Sequence, residues 1–114
     1  MPWNDASLES ILAAIVAVLF AIAGAVNLAG LGAVKRDFAR WGYPAWFRFF
    51  CGALELSSAA LLAGQATRVL GLMLAGAIMV GVLFTLLRNR EPFRHLAPAL
   101  VFSTLVVVIA AVRG

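Results

Sequence analysis

From Ile11 to Val34 the chain carries no ionisable side chain. About 20 residues of apolar helix are enough to cross the ~30 Å hydrocarbon core of a bilayer, so this run alone predicts a membrane span. It does not read as a cleaved leader: Asp5 and Glu9 precede it instead of lysine or arginine, and it is longer than a leader's apolar region. A second uncharged run extends from Val69 to Leu87. Two further apolar stretches complete the pattern. One starts after Pro44, with Arg48 near its beginning and Glu55 well inside it; the other lies between His95 and Val112. The expectation is an all-α, integral membrane four-helix bundle, one domain over 1–114, with helices at about 9–34, 45–63, 68–87 and 95–112. Composition excludes the soluble alternative. Of the 114 residues 64% are hydrophobic and 12% charged, whereas soluble domains hold ~45–50% apolar and ~25% charged residues. A domain this small buries only about two-thirds of its surface, too little to hide so much apolar area from water.

The net charge of +4 reads as topology and not as nucleic-acid binding, because the basic residues fall in short connections between apolar runs. Lys35, Arg36, Arg40 and Arg48 lie on the first connection, and Arg88, Arg90 and Arg94 on the third. Only Arg68 and Arg113 lie towards the opposite side. The positive-inside rule then places the 35–48 and 88–94 connections in the cytoplasm and both termini outside, N-out/C-out. Arginine outnumbers lysine eight to one, which suggests a bacterial source, and hence a multi-pass protein of the bacterial cytoplasmic (inner) membrane. Trp41, Tyr43 and Trp46 suit the headgroup level as interface anchors, or the rim of a cytoplasmic mouth. Lys35, Arg36 and Arg40 could hold anionic headgroups. Expected partners are the lipid bilayer and, through small-residue seams, a second copy or another membrane protein. Ala13, Ala17, Ala21, Ala25 and Ala29 recur at four-residue steps with Gly24 beside them, and Gly71–Ala75 and Ala77–Gly81 repeat the spacing. Small residues so placed let helix backbones approach closely within lipid.

Candidate chemistry is sparse. One cysteine, Cys51, and one histidine, His95, exclude an internal disulfide, a paired-cysteine redox motif and a two-histidine haem site within one chain. No metal set and no nucleophile–base pair is visible, so catalytic residues are not assigned and an enzyme is not expected. Glu55 stands out. Some ten residues into its helix, it lies ~15 Å from the cytoplasmic end, near the bilayer midplane. A carboxyl there must face inward and find a partner. Its face reads Arg48, Cys51, Gly52, Glu55, Ser58, Ala59. Asn27 reaches a matching depth on the first helix, and an amide can both donate to and accept from a carboxyl group. The expectation is an Asn27–Glu55 hydrogen bond, either locking two helices together or forming, with Ser58, a ligand-binding or proton-carrying site. Arg48 is expected to snorkel to the interface.

The segments Ala23-Gly24-Ala25-Val26-Asn27-Leu28-Ala29-Gly30, Gly42-Tyr43-Pro44-Ala45-Trp46 and Gly52-Ala53-Leu54-Glu55-Leu56 resemble the DoxX-like family of small membrane proteins. The resemblance implies four helices, a glycine–proline loop before the second and a glutamate–leucine pair inside it. It also implies a link to quinone chemistry, so a quinone is the one cofactor brought forward, by resemblance only. The family often carries lysine where this chain has Asn27, so an amide–carboxyl pair replaces an ion pair. The leading expectation is an accessory protein binding a small lipophilic, quinone-like molecule at the Asn27–Glu55 level. The alternatives are a small proton-coupled transporter using Glu55 and an assembly partner of another membrane protein.

Overall fold

The computed structural model describes residues 5–113, and all regular structure among them is helical. Five helices follow in order: α1 (Asp5–Ala29), α2 (Gly32–Arg40), α3 (Phe47–Ala63), α4 (Arg68–Arg88) and α5 (Phe93–Arg113). Stretches Ser7–Ala29, Arg68–Arg88 and Phe93–Arg113 are long and apolar enough to cross a membrane. α1 packs against α3 and α5, and α4 packs against the same two. The long helices therefore close a ring in the order α1–α3–α4–α5, with α2 linking α1 to α3 outside it.

The expected first helix, 9–34, is corrected by a break. α1 stops at Ala29 and Gly30 takes a left-handed φ of +64°, a conformation open to glycine at little cost. Residues 32–34 belong to α2, so the expected count of four helices becomes five. Arg48 does not snorkel outward either. Its Nη1 donates to the carbonyls of Asn27 (2.6 Å) and Leu28 (3.0 Å), two of the orphan acceptors at a helix C-terminus. A side chain on Gly30 would collide with that guanidinium. Gly30 thus both turns the chain and makes room for the cation that caps α1.

The core is a narrow column of Val16, Phe20, Ala59, Leu62, Ala75, Met79, Val106 and Ile109. Phe20 of α1 stacks on Phe102 of α5 at 5.4 Å between ring centroids. Large apolar side chains such as Ile22, Met73, Val80 and Val107 point outward and are more than half exposed. So much outward apolar surface belongs against lipid or another apolar partner. The alanine stripe of α1 faces inward over only part of its length. Ala13 and Ala17 are buried, whereas Ala25 and Ala29 are exposed. A four-residue step overshoots one turn by about 40°, so the stripe winds off the core face.

Two polar clusters hold the ends. At the end carrying the termini, Arg68 donates to Glu9 (3.0 Å) and to the Leu62 carbonyl (3.0 Å), and Arg113 donates to the other oxygen of Glu9 (2.8 Å). One carboxylate thereby joins α1, α4 and α5. At the opposite end Glu91, in the α4–α5 turn, accepts from Trp41 Nε1 (2.8 Å) and from Arg40, pinning the end of α2 to that turn.

Candidate functional site

Glycine decides how α1 meets α3. A Cβ on Gly24 would stand 2.9 Å from the Gly52 carbonyl oxygen, and one on Gly52 would stand 3.0 Å from the Gly24 oxygen. The two backbones touch there, which only a pair lacking side chains allows. Beside this crossing, Asn27 Nδ2 donates to Glu55 Oε1. The structure thus brings together the two polar residues that the depth arithmetic paired. Glu55 is 8% exposed, and Asn27 is held further by the Arg48 bond to its own carbonyl.

The pair is not closed over by packing. It forms one wall of a cavity of about 380 Å³ between α3 and α4, within the range of small-molecule sites, which run from roughly 300 to 1,000 Å³. Leu54, Leu74, Ile78, Val82 and Leu86 are part of its apolar lining, and Cys51 lies one turn before Glu55 on the same wall. At the end near α2 the lining is aromatic. Tyr43 packs on Phe47 at 4.6 Å, and Phe38 lies 5.5 Å from Trp41 and 6.1 Å from Tyr43 between ring centroids. The Tyr43 hydroxyl bonds to Thr85 Oγ1 of α4 at 2.5 Å. Polar groups therefore stand at two places on an otherwise apolar wall: Asn27 with Glu55, and Tyr43 with Thr85. Such a surface suits a small apolar molecule that carries hydrogen-bonding atoms.

The remaining predicted residues disperse. Ser58 is fully buried but lies off the cavity, donating to the Gly71 carbonyl at 3.1 Å. It faces α4 because it sits almost a full turn beyond Glu55, and it fastens α3 to α4. Trp41 and Tyr43 line the cavity, whereas Trp46 is 62% exposed. Lys35, Arg36, Arg88, Arg90 and Arg94 are exposed, while Arg40 pairs with Asp37 (2.8 Å) and Glu91. The Trp41 and Arg40 bonds hold the Glu91 carboxyl below its ordinary value of 4.5, because hydrogen-bond donors and a nearby cation favour the charged form. The Ala77–Gly81 spacing, expected as a close-packing seam, is corrected: both residues are exposed, nothing lies within 4 Å of a Cβ built on Gly81, and with Thr85 one turn further on they line the cavity instead.

The model of the DoxX-like family matches residues 11–109, a span that includes every residue lining the cavity. The chain belongs to the DoxX-like family. No curated protein and no solved structure matches it. Among DoxX-like chains this one is a membrane protein with long apolar helices whose polar pair, Asn27–Glu55, opens into a cavity.

Proposed function

We propose that this DoxX-like protein is a non-catalytic accessory membrane protein that binds a small lipophilic molecule, quinone-like in its flat hydrogen-bonding head, at the Asn27–Glu55 level of the α3–α4 cavity. The observation that carries the reading is that the pair faces open volume. Helix glue alone has no need of a cavity beside it. In this reading all four long helices cross the bacterial inner membrane, N-out/C-out. α3, with 17 residues, spans only ~25 Å, packs against α1 and α4 and turns Phe49, Phe50 and Leu56 outward. α2 then lies at the cytoplasmic interface with its basic residues in water.

The test is co-purification of a tetrasubstituted decyl-benzoquinone from nanodiscs. Retention by the unaltered protein and loss in Asn27→Leu and Glu55→Gln supports binding. Equal retention in all three refutes it. Glu55 is the one acidic residue among those lining the cavity, which favours proton-coupled transport as the second reading. Uphill uptake in vesicles driven by a proton gradient and abolished in Glu55→Gln would put it first. A periplasm-active reporter fused after Gly114 is expected to be on; a silent one, with a working cytoplasmic reporter, reverses the orientation.

A further inference from the structure

The cavity has an open side and a shut side. Towards the loop end it is crossed by a strap made of the end of α2 and the segment leading to α3. Trp41 and Arg40 are tied to Glu91, the Tyr43 hydroxyl is tied to Thr85, and the rings of Phe38, Tyr43 and Phe47 fill the space between. Towards the end carrying the termini, α3 and α4 meet directly. A Cβ on Gly71 would stand 2.7 Å from the Leu62 backbone nitrogen, and Ser58 bonds to the Gly71 carbonyl. Between these closures the α4 wall is bare. Ala77, Gly81 and Val82 line the cavity and are exposed at the same time, and nothing lies within 4 Å of a Cβ built on Gly81. This opening lies partway along α4, in the Arg68–Arg88 stretch that is long and apolar enough to cross a membrane.

We infer that the ligand reaches the cavity sideways from the bilayer, between α3 and α4, and is a single-tailed amphiphile whose flat neutral head lies against Asn27 and Glu55 while its tail passes Ala77 and Gly81 into the lipid. The inference rests on the binding reading above and adds both a route and a ligand class to it. A head without a tail gains nothing from the lateral opening. A head fixed to two bulky chains or carrying a large charged group does not fit an opening bounded by small residues and leading to a mostly apolar wall.

The test uses the full chain in nanodiscs with Trp3 and Trp46 replaced by phenylalanine, so that Trp41 in the cavity lining is the sole tryptophan. The probes are a tetrasubstituted benzoquinone carrying a decyl tail and the same ring without it. Saturable quenching of Trp41 by the tailed probe is expected. Gly81→Leu and Ala77→Leu, which narrow the opening, are expected to weaken it at least about tenfold, the scale on which a pocket senses added methylenes, and to weaken tailless quenching less. A mutation-free measurement stands beside it. A diazirine on the tail close to the ring should place its adducts on residues 74–82 and the facing part of α3. Unchanged binding of the tailed probe in both leucine variants, with helical circular dichroism intact, overturns the lateral route, as do adducts confined to 32–43. If neither probe quenches the unnarrowed protein saturably, the binding reading itself fails, and the inference falls with it.

Discussion

The contact between α1 and α3 makes a quantitative claim. Gly52→Ala adds one carbon where it would stand 2.9 Å from Leu28 Cγ and 3.0 Å from the Gly24 carbonyl oxygen. Non-bonded carbon contacts are comfortable at about 3.5–4.0 Å, so the helices must separate by roughly half an ångström or more. Leu28 can turn aside, but the Gly24 oxygen is backbone and moves only with α1. Overpacking of this kind typically costs about 1–3 kcal/mol. Alanine also favours the helix over glycine by about 0.8–1 kcal/mol, which hides part of the loss. Gly76→Ala isolates that part: Gly76 is also helical, and nothing lies within 4 Å of a Cβ built there. The helix preference is common to both variants and cancels in their difference. Gly76→Ala should therefore be neutral to stabilising, and Gly52→Ala should lie about 1–3 kcal/mol below it, the overpacking cost alone. The assay is unfolding of the purified protein by SDS titration in mixed micelles, followed by circular dichroism. Two variants that shift equally and in the same direction would refute the claim that backbone contact at Gly24–Gly52 sets the separation of α1 and α3.

Three other outcomes can be checked. In the Trp41-only background, acidification should loosen the strap. Glu91 is held below its ordinary 4.5 first by Trp41 and then by Arg40, so its contribution is present above that value and is lost as pH falls through the lowered one; Trp41 emission should shift to the red only under those acid conditions, and Glu91→Gln should remove the pH dependence. Glu9→Ala should destabilise the protein more than Arg113→Ala, since it strands the almost fully buried Arg68, whereas the Arg113 side chain is 34% exposed and such pairs contribute less than about 1 kcal/mol; equal effects in SDS titration would contradict this ordering. Gly30→Ala should destabilise by about 1–2 kcal/mol from the left-handed backbone alone, with a further loss as the Arg48 cap is displaced, and Gly30→Asn should recover part of the backbone portion.

Hydropathy alone reveals α1, α4 and α5, because lipid selects a helix by apolar length and little else. The same insensitivity hid the break at Gly30. Leu31, Gly32, Ala33 and Val34 continue the apolar run, and only the backbone angles of Gly30 and Leu31 separate α1 from α2. The Asn27–Glu55 contact was legible because two antiparallel neighbours starting from one interface share a depth scale. The Glu9–Arg68–Arg113 cluster was not, since its partners lie 59 and 104 residues apart and nothing local marks them as a set. Trp41 and Tyr43 read by residue type as membrane anchors or as the rim of a mouth; they line the cavity, and their polar atoms bond to Glu91 and Thr85. Such a pairing depends on where the α4–α5 turn lands, which no single segment encodes.

The Arg68–Glu9–Arg113 knot and the Ser58–Gly71 bond fasten the bundle where the termini lie, and the cavity begins where that fastening stops. With Glu91 tying Trp41 and Arg40 at the other end, the rods are clipped at both tips, and their slack is left at mid-length, where the cavity lies. Substitutions that slacken the Glu9 cluster should therefore be felt at mid-length, around Glu55, as well as by the residues they touch, while the Glu91 end stays pinned.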